Sequence, residues 1–222
     1  QIISHLTIYP RITAIGTKAF YESSIVFDSV DLTGCTSSGS VGINAFTGTT
    51  VKKLIVNNNG VKAESNNYPV YASSEKYPFY NVKGFETLVL KGNNFLNVMT
   101  NSMKSSVKSI EGFENISTFG YSVLENTYNL KFEVSLTSKV TSIGDNAFKN
   151  SGITFTSVDL TGCTSSGSVG TNAFTGTTVK KLVVNNNGVK AISNNRTVTS
   201  SSDMYPFYNV KGFETLELKY GT

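Results

Sequence analysis

The feature that most constrains the fold is an internal repeat with an offset of 128 residues. The segment VDLTGCTSSGSVGINAFTGTTVKKLIVNNNGVKA, residues 30–63, returns with two changes at residues 158–191. The segment YPFYNVKGFETL begins at Tyr77 and again at Tyr205. Residues 12–91 and 140–219 are identical at 61 of 80 positions without an insertion. This identity indicates a recent internal duplication and directs the search to repeat architectures.

A shorter period lies within each copy. The apolar spacing L-x-x-L-x-L followed by Asn or Cys is typical of repeats that contribute one strand and one turn each. Units of this kind begin at residues 3, 27, 51, 85, 107, 129, 155, 179 and 213, and those at 107 and 129 fit least well. A second motif, Ile-Gly or Val-Gly followed after two residues by Ala-Phe, occupies residues 15–20, 41–46, 143–148 and 169–174.

These two motifs predict a repeat solenoid of about nine coils. Each coil should contribute one short parallel strand, whose alternate apolar residues point to one face, and a return arm anchored by a Phe side chain. A single coil buries too little apolar surface, so neighbouring coils must stack and share one core. Gly, Ser and Thr are too frequent on the return arms for long helices, and we expect irregular or short-helical arms.

Composition argues against several classes of function. The chain has one histidine, His5, and two cysteines, too few for a metal cluster or a histidine-based catalytic device. Its net charge of +4 is small and scattered, so no nucleic-acid partner is expected. The apolar runs are too short for a transmembrane helix. We therefore expect no enzymatic activity, no cofactor, no metal and no membrane insertion by this chain.

The combination of Ile-Gly-x-x-Ala-Phe with a following apolar strand resembles the BspA-like leucine-rich repeat of bacterial surface proteins. The resemblance covers nearly the whole chain, although the family often has a Cys shortly after Ala-Phe and a Pro after the strand, where this chain reads AFTGT and DLTGC. It implies a leucine-rich-repeat right-handed superhelix. It also implies exposure at the cell surface and adhesion to host proteins, other cells or glycans.

Paired residues of the two copies are predicted to lie far apart. Cys35 and Cys163 are separated by five coils, or about 24 Å at about 4.8 Å per coil. A disulfide requires Cα atoms within about 7 Å, so both thiols should be free and buried at the turn after the strand. Asp31 and Asp159 are separated by the same distance, which is too far for a general acid and base pair.

Two surfaces are candidates for ligand binding. The first is the outward face of the strands, where Ile55, Val89 and Val183 are apolar at positions expected to face solvent; its residues are Asp31, Ile55, Val89, Glu133, Asp159, Val183 and Glu217. β-Branched residues also suit strands for packing reasons alone. The second is a set of tyrosines on the two stretched units, which begin at residues 51 and 179 and are 34 residues long. These tyrosines form either a protruding aromatic patch or part of the local packing, and they are Tyr71, Tyr77, Tyr80, Tyr205 and Tyr208.

We expect one leucine-rich-repeat solenoid over residues 1–222, in which 1–94 is matched by 129–222 and 95–128 forms divergent coils. The predicted function is non-catalytic binding by a secreted or cell-surface protein, with a host or neighbouring-cell protein or glycan as partner. A structural spacer that presents another domain is the alternative. Because neither end shows a polar capping coil, we also expect a piece of a longer protein and end-to-end self-association.

Overall fold

The computed structural model describes residues 4–220, so Ile3, an expected core position of the first coil, lies outside the described residues. Nearly all regular structure is strand, and helix within the described range is confined to α1 (Asn101–Ser106) and a 3-10 turn (Phe113–Asn115). In chain order the strands are β1 (His5–Ile8), β2 (Val26–Asp31), β3 (Thr50–Val51), β4 (Lys53–Asn57), β5 (Glu64–Ser65), β6 (Tyr68–Pro69), β7 (Thr87–Lys91), β8 (Asn94–Phe95), β9 (Ser109–Glu111), β10 (Thr118–Phe119), β11 (Glu133–Leu136), β12 (Ser142–Ile143), β13 (Thr154–Asp159), β14 (Thr178–Val179), β15 (Lys181–Asn185), β16 (Ile192–Ser193), β17 (Arg196–Thr197) and β18 (Thr215–Lys219).

The chain divides into two compact units, Gln1–Gly92 with Leu96–Phe113 and Asn93–Phe95 with Glu114–Thr222. The first unit contains a parallel sheet in the order β1-β2-β4-β7-β9, with β3 beside β2. The second contains a parallel sheet in the order β11-β13-β15-β18, with β14 beside β13, and a smaller parallel sheet of β8, β10 and β12. Parallel strands that follow one another in sequence, with almost no helix, confirm the predicted repeat solenoid.

The strand residues alternate between core and outer face as the repeat predicts. In β4, Leu54 and Val56 are fully or almost fully buried, whereas Lys53, Ile55 and Asn57 are partly exposed. Leu54 lies in register between residues of the two neighbouring strands, Val30 and Leu88, which are also buried. The apolar positions of successive repeats therefore form continuous rows through the core of the first unit.

The register of β11 differs from the prediction. The template aligned Phe132 with Val158, but in the structure Val134 lies beside Phe155 and the pairing shifts before Ser135. Two residues of β13 here face one residue of β11, which is the geometry of a β-bulge. The same irregularity occurs in β1. As a consequence Glu133 lies beside Thr154, and its predicted place in one row with Asp159 is wrong.

Phenylalanines of the return arms stack along each unit. In the first unit the ring centroids of Phe20 and Phe46 are 5.4 Å apart, and those of Phe46 and Phe79 are 4.9 Å apart with nearly parallel planes. Phe27 of β2 meets Phe46 edge-on at 5.0 Å. The second unit repeats the arrangement through the contacts Phe148–Phe174, Phe174–Phe207 and Phe155–Phe174. Aromatic pairs at these distances contribute beyond the area that they bury.

The glycine of the Ile-Gly motif allows the backbones of adjacent coils to touch. The N–H of Gly42 donates to the carbonyl oxygen of Ile15 over 2.7 Å. A Cβ on Gly42 would lie 2.2 Å from the backbone nitrogen of Thr17, and one on Gly170 would lie 2.2 Å from that of Asp145. Only glycine fits at such a distance, so the motif marks the contact between coils.

Left-handed backbone recurs at two positions of the return arms and accounts for part of the asparagine content. The residue before Ala-Phe has positive φ in Lys18, Asn44, Asn146 and Asn172. The second residue after the Phe, or after Leu124 in its place, also has positive φ; these residues are Glu22, Gly48, Asn81, Asn126, Asn150, Gly176 and Asn209. Asparagine and glycine tolerate this conformation better than other residues. The return arms thus consist of successive tight turns, which agrees with the predicted irregular or short-helical arms.

Substitution of Gly42 by Ala is expected to destabilise the protein by about 1–3 kcal/mol, because the new methyl group meets backbone that cannot move aside. The matched control is Gly16→Ala in the preceding coil, where a Cβ meets nothing within 4 Å. The control should change the free energy of unfolding by less than about 0.5 kcal/mol. Urea titration followed by circular dichroism measures both, and equal effects would contradict the close-approach explanation.

Candidate binding surfaces

The outward face of the first unit's sheet is crossed by an ion pair. Lys53 of β4 and Glu111 of β9 stand on either side of β7, and their Nζ and Oε1 atoms are 3.7 Å apart. Since neighbouring strands are about 4.8 Å apart, the two side chains must reach towards each other across β7. Glu111 is in register with Val89, which is in register with Ile55. The ion pair therefore lies over the centre of this face.

Val89 is consequently not the exposed apolar residue that the sequence suggested. Its side chain is only 5% exposed although it lies on the face opposite to Leu88 and Leu90. The ion pair of Lys53 and Glu111 spans β7 beside Val89, and long charged side chains commonly cover apolar surface in this way. Ile55 is half-buried. The expectation of a solvent-exposed apolar patch here is therefore wrong.

The second unit repeats this arrangement around Val183. Asp159 of β13 and Glu217 of β18 lie in register on either side of Val183, which is 4% exposed. Lys219 reaches back across β15 to Asp159 with 3.3 Å between Nζ and Oδ2, and Lys181 pairs with Glu217 at 2.5 Å. Charged side chains again cover the apolar residue, so Val183 is also not exposed.

Three carboxyl groups on these faces have lowered pKa values. At Asp159 burial acts in the opposite direction, but hydrogen bonds from Thr161 and the nearby Lys219 lower its pKa overall. The hydrogen bond and charge of Lys181 lower the pKa of Glu217. Hydrogen bonds from His5 and then Lys52 lower the pKa of Asp28. Charges on both faces are therefore matched within the chain.

Asp31 and Asp159 have a structural role at the strand ends. The Oδ1 atom of Asp31 accepts hydrogen bonds from the Thr33 backbone N–H, at 2.9 Å, and from its hydroxyl, at 2.6 Å. Asp159 makes the same two bonds with Thr161. An aspartate that bonds the backbone two residues later forms an Asx turn, which directs the chain out of the strand. The sequence predicted both residues as part of the outward sheet face and did not predict this turn.

The predicted tyrosines separate into exposed and packed residues. Tyr71 is 71% exposed and Tyr208 is 40% exposed, whereas Tyr80 is half-buried. Tyr77 is 2% exposed, and its hydroxyl donates to the carbonyl oxygen of Val98 over 2.6 Å. Burial raises the pKa of Tyr77. Tyr77 therefore belongs to the core of the arm, and its assignment to a binding patch is wrong.

Tyr205 is the copy of Tyr77 in the second unit and is half-buried, with a pKa that burial raises. Its ring lies 6.0 Å from that of Phe207, much as the ring of Tyr77 lies 5.9 Å from that of Phe79. Its hydroxyl makes no hydrogen bond within residues 4–220. The two copies thus share the ring position and differ in the bond that the hydroxyl makes.

Each stretched unit owes its length to a β-hairpin that the sequence reasoning missed. β5 and β6 pair antiparallel through a two-residue turn, Asn66-Asn67, in which both residues have positive φ. β16 and β17 form the same hairpin around Asn194-Asn195. Two central residues with positive φ define a type I′ turn, the connection that best suits the twist of a hairpin. The signal was present as Ser-Asn-Asn in both copies.

The first hairpin presents aromatic side chains at its tip. Tyr68 of β6 is 75% exposed, and Tyr71 follows it just beyond the strand. The second hairpin has Arg196 and Thr199 at the corresponding positions. Comparison of the two copies would have identified this difference, because residues 64–76 differ from 192–204 at seven of 13 positions and residues 29–63 differ from 157–191 at two of 35.

The thiols and the histidine have structural surroundings. Cys35 and Cys163 are free and buried, as predicted. Burial, and then the neighbouring aspartate, raises the pKa of Cys163 to about 11 and also raises that of Cys35, so neither is a reactive thiolate. His5 lies 3.1 Å from the Asp28 carboxylate at the surface. Residues 4–220 contain no group of three or more His, Cys, Asp or Glu that could hold a metal ion.

The arrangement was compared with known proteins. A family model, the BspA type leucine rich repeat region with 6 copies, matches residues 1–71 and 37–154, which together exceed half of the chain. No curated protein and no solved structure matches it. Within residues 4–220, no helix has both the length and the apolar character needed to cross a membrane.

Acid is expected to destabilise the protein. A carboxyl group whose pKa is lowered by folding stabilises the native state above its unfolded pKa, and this contribution is lost as the pH falls through the folded value. The free energy of unfolding should therefore be level down to about pH 5 and decrease below about pH 4. Asp159→Asn should weaken this acid dependence in urea titrations at pH 7 and pH 3.5.

The control for that prediction is Asp203→Asn. Asp203 is exposed, and its carboxylate makes no hydrogen bond or ion pair within the described residues. This variant should keep the acid dependence of the unchanged protein. An Asp159→Asn variant whose unfolding free energy falls just as steeply would contradict the proposed contribution of its carboxylate.

Tyr77→Phe should cost about 1 kcal/mol, because the carbonyl oxygen of Val98 loses a buried hydrogen-bond donor. Tyr205→Phe is the matched control, since its hydroxyl has no such partner, and should change stability by less than about 0.5 kcal/mol. Thermal unfolding of both variants provides the comparison. Equal losses of stability would show that the hydroxyl of Tyr77 contributes no more than that of Tyr205.

Proposed function

The chain belongs to the family of BspA-type leucine-rich repeat regions, and from this we propose that it is a non-catalytic binding protein. It acts at the cell surface or after secretion and mediates adhesion or protein–protein interaction through the solenoid surface. Its partner is a protein or glycan of a host or of a neighbouring cell, and not a nucleic acid. Solenoids commonly bind in this way because stacked repeats present extended surfaces.

The proposal includes the finer architecture. We propose one solenoid of about nine coils in a right-handed superhelix, with residues 1–94 duplicated as 129–222 and 95–128 as divergent coils. The main paths of the two parallel sheets contain five and four strands, and these nine strands support this count. Self-association through strand edges is part of the proposal, supported by Leu216 and Leu218 of β18, which are 55% and 51% exposed.

The observation that carries the proposal is the exposure of Tyr68 and Tyr71 at the first hairpin, at 75% and 71%. Tyrosine combines a large rigid contact area with a polar tip and loses little conformational entropy on binding, which is why it is enriched at binding sites. Tyr208 offers a smaller aromatic contact in the second unit. The arm is therefore the first candidate for the binding site.

The outward sheet face is the second candidate. Its central residues are Asp31, Ile55, Glu111, Asp159 and Glu217, with Glu133 at the edge of the second sheet. Paired charges at a rim contribute specificity more than affinity. The same observation favours the alternative of a structural spacer, because a face whose apolar residues are already covered by the chain's own side chains needs no partner.

The test is direct binding of the purified chain to matrix proteins, mucins and glycans. We expect saturable binding that Tyr68→Ser/Tyr71→Ser weakens by at least about tenfold, a loss of about 1.4 kcal/mol, because the aromatic contact is removed. Tyr121→Ser is the matched control. It removes a tyrosine that is 63% exposed but lies outside the hairpin, and it should bind normally.

A sheet-face variant, Ile55→Asp/Glu111→Lys, distinguishes the two surfaces once circular dichroism shows that it folds. Loss of binding in this variant alone would transfer the site to the sheet face. Absence of binding to every protein and glycan on the panel would support the spacer and contradict the adhesion proposal.

A further inference from the structure

The second hairpin borders a cleft. The cleft encloses about 510 Å³ and is open to solvent; its lining includes Ser193, Arg196, Thr197, Thr199, Ser202 and Met204. Its volume is within the range of about 300–1,000 Å³ typical of small-molecule sites. The buried side chain of Val198 forms part of its wall. Hydroxyl groups dominate the remaining lining.

Arg196 provides the charge of this cleft. Its side chain is exposed and makes no ion pair or hydrogen bond to another side chain within residues 4–220. The surrounding segment, residues 190–206, contains Lys190 and Arg196 against Asp203, a net charge of +1. The corresponding segment of the first copy, residues 62–78, contains two lysines and two glutamates and is neutral. The segment of the second hairpin has thus lost one acidic group and gained an unpaired guanidinium.

The first copy has a lysine at the position of Met204. There Lys76 reaches the hairpin, and its Nζ donates to the Ser65 hydroxyl over 3.3 Å. In the second copy Met204 replaces that lysine, and Ser193, the equivalent of Ser65, lines the cleft instead. The replacement removes the cationic bridge between arm and hairpin. Ser193 and the apolar side chain of Met204 both line the cleft.

Four of the residues that line the cleft differ between the two copies. Tyr68, Pro69, Tyr71 and Lys76 of the first copy correspond to Arg196, Thr197, Thr199 and Met204, and the other lining residues are identical in both copies. The exchange replaces bulky rings by two hydroxyls, one guanidinium and one flexible apolar side chain. A planar guanidinium matches a carboxylate through two parallel hydrogen bonds. Hydroxyls and the adjacent Asn194 amide match the hydroxyl groups of a sugar.

From this juxtaposition we propose that the cleft of the second hairpin binds a carboxylated sugar unit, with Arg196 on the carboxylate and Ser193, Thr197, Thr199 and Ser202 on the ring hydroxyls. The methyl group of Met204 and the side chain of Val198 contact the apolar face of the ring. The proposal deepens the binding function proposed above, since it names a ligand class for one of the two hairpins. The tyrosine-bearing first hairpin, which differs at four of these lining positions, is a separate contact.

The test uses the whole chain and free sugars, so its result is independent of binding to macromolecules. Chemical-shift titration by NMR with D-glucuronic acid and N-acetylneuraminic acid should give saturable shifts at residues 193–204. D-Glucose and D-glucuronamide, which lack the carboxylate, should bind at least about tenfold more weakly. Equal affinity for the neutral sugars, or no saturable shift with either acid, would overturn the proposal.

Two sets of variants make the assignment specific. Arg196→Tyr, which restores the residue of the first copy, should reduce affinity at least about tenfold, and Arg196→Lys should reduce it less because a charge remains. Arg196 is exposed, and unchanged thermal unfolding of both variants verifies the fold. Undiminished binding by Arg196→Tyr would overturn the role of the guanidinium. Binding of tetraglutamate in place of either sugar acid would overturn the assignment to a glycan.

The first copy also allows a gain-of-function test. Tyr68→Arg/Pro69→Thr/Tyr71→Thr/Lys76→Met installs the cleft lining of the second hairpin in the first. We expect the number of sugar molecules bound per chain to rise from one to two, with new shifts at residues 65–76. If the fully folded variant gains no second site, the lining residues are not sufficient and the assignment of recognition to them is wrong.

Discussion

The contact between adjacent coils at the return arm is the constraint on which the rest of the structure depends. Where Gly42 meets Thr17, the backbones are so close that a Cβ atom would stand 2.2 Å from a nitrogen. At this separation the arms bond directly, and the Phe46 N–H donates to the Pro78 carbonyl oxygen over 2.8 Å. The same spacing allows the rings of Phe46 and Phe79 to stack. The glycine contact, the hydrogen bonds between arms and the stacking of the phenylalanines therefore all depend on the same close spacing of the coils.

The fixed spacing between coils also governs the outer face of the sheets. Strands about 4.8 Å apart place a Lys and an acidic residue on alternate strands within reach of each other above the strand between them. In both units the residue below such a pair is a valine, Val89 or Val183. Exposed ion pairs contribute little stability individually, but their aliphatic stems exclude water from the valine. On both faces these valines are therefore shielded by the chain's own side chains.

Much of the fold could be predicted from the sequence because the repeat spacing encodes it directly. Rows such as Val30, Leu54 and Leu88 follow from the apolar period, and the glycine of the Ile-Gly motif marks the coil contact. Exposure could not be predicted in the same way. Whether Val89 or Tyr77 faces solvent depends on residues of neighbouring coils, Lys53 and Val98, that lie 36 and 21 positions away. A position within one repeat contains no information on these neighbours.

The register error at Glu133 has a local cause of a different kind. The apolar pairs of β11 are two residues apart, whereas those of β13 are three apart, so one strand must bulge. A repeat template with fixed spacing cannot represent this difference. It therefore assigns the wrong partner to every strand residue on one side of the bulge. The hairpins could not be predicted for a related reason, because strands of two residues are too short to show any apolar period. Their Asn-Asn turns were the only local signal.

The pattern of change between the two copies follows from these contacts. Residues 29–63 include two strands and an arm that pack on the coils before and after them, and only two of 35 positions differ from the second copy. The strands of each hairpin pair only with each other, and seven of 13 positions differ in the segment that contains it. A substitution inside the stack must satisfy two neighbouring coils, whereas an exposed position on a hairpin, such as Tyr68 or Arg196, has fewer neighbours to satisfy. Duplication of this solenoid therefore preserves the scaffold and leaves the hairpins as the elements in which binding chemistry can diverge.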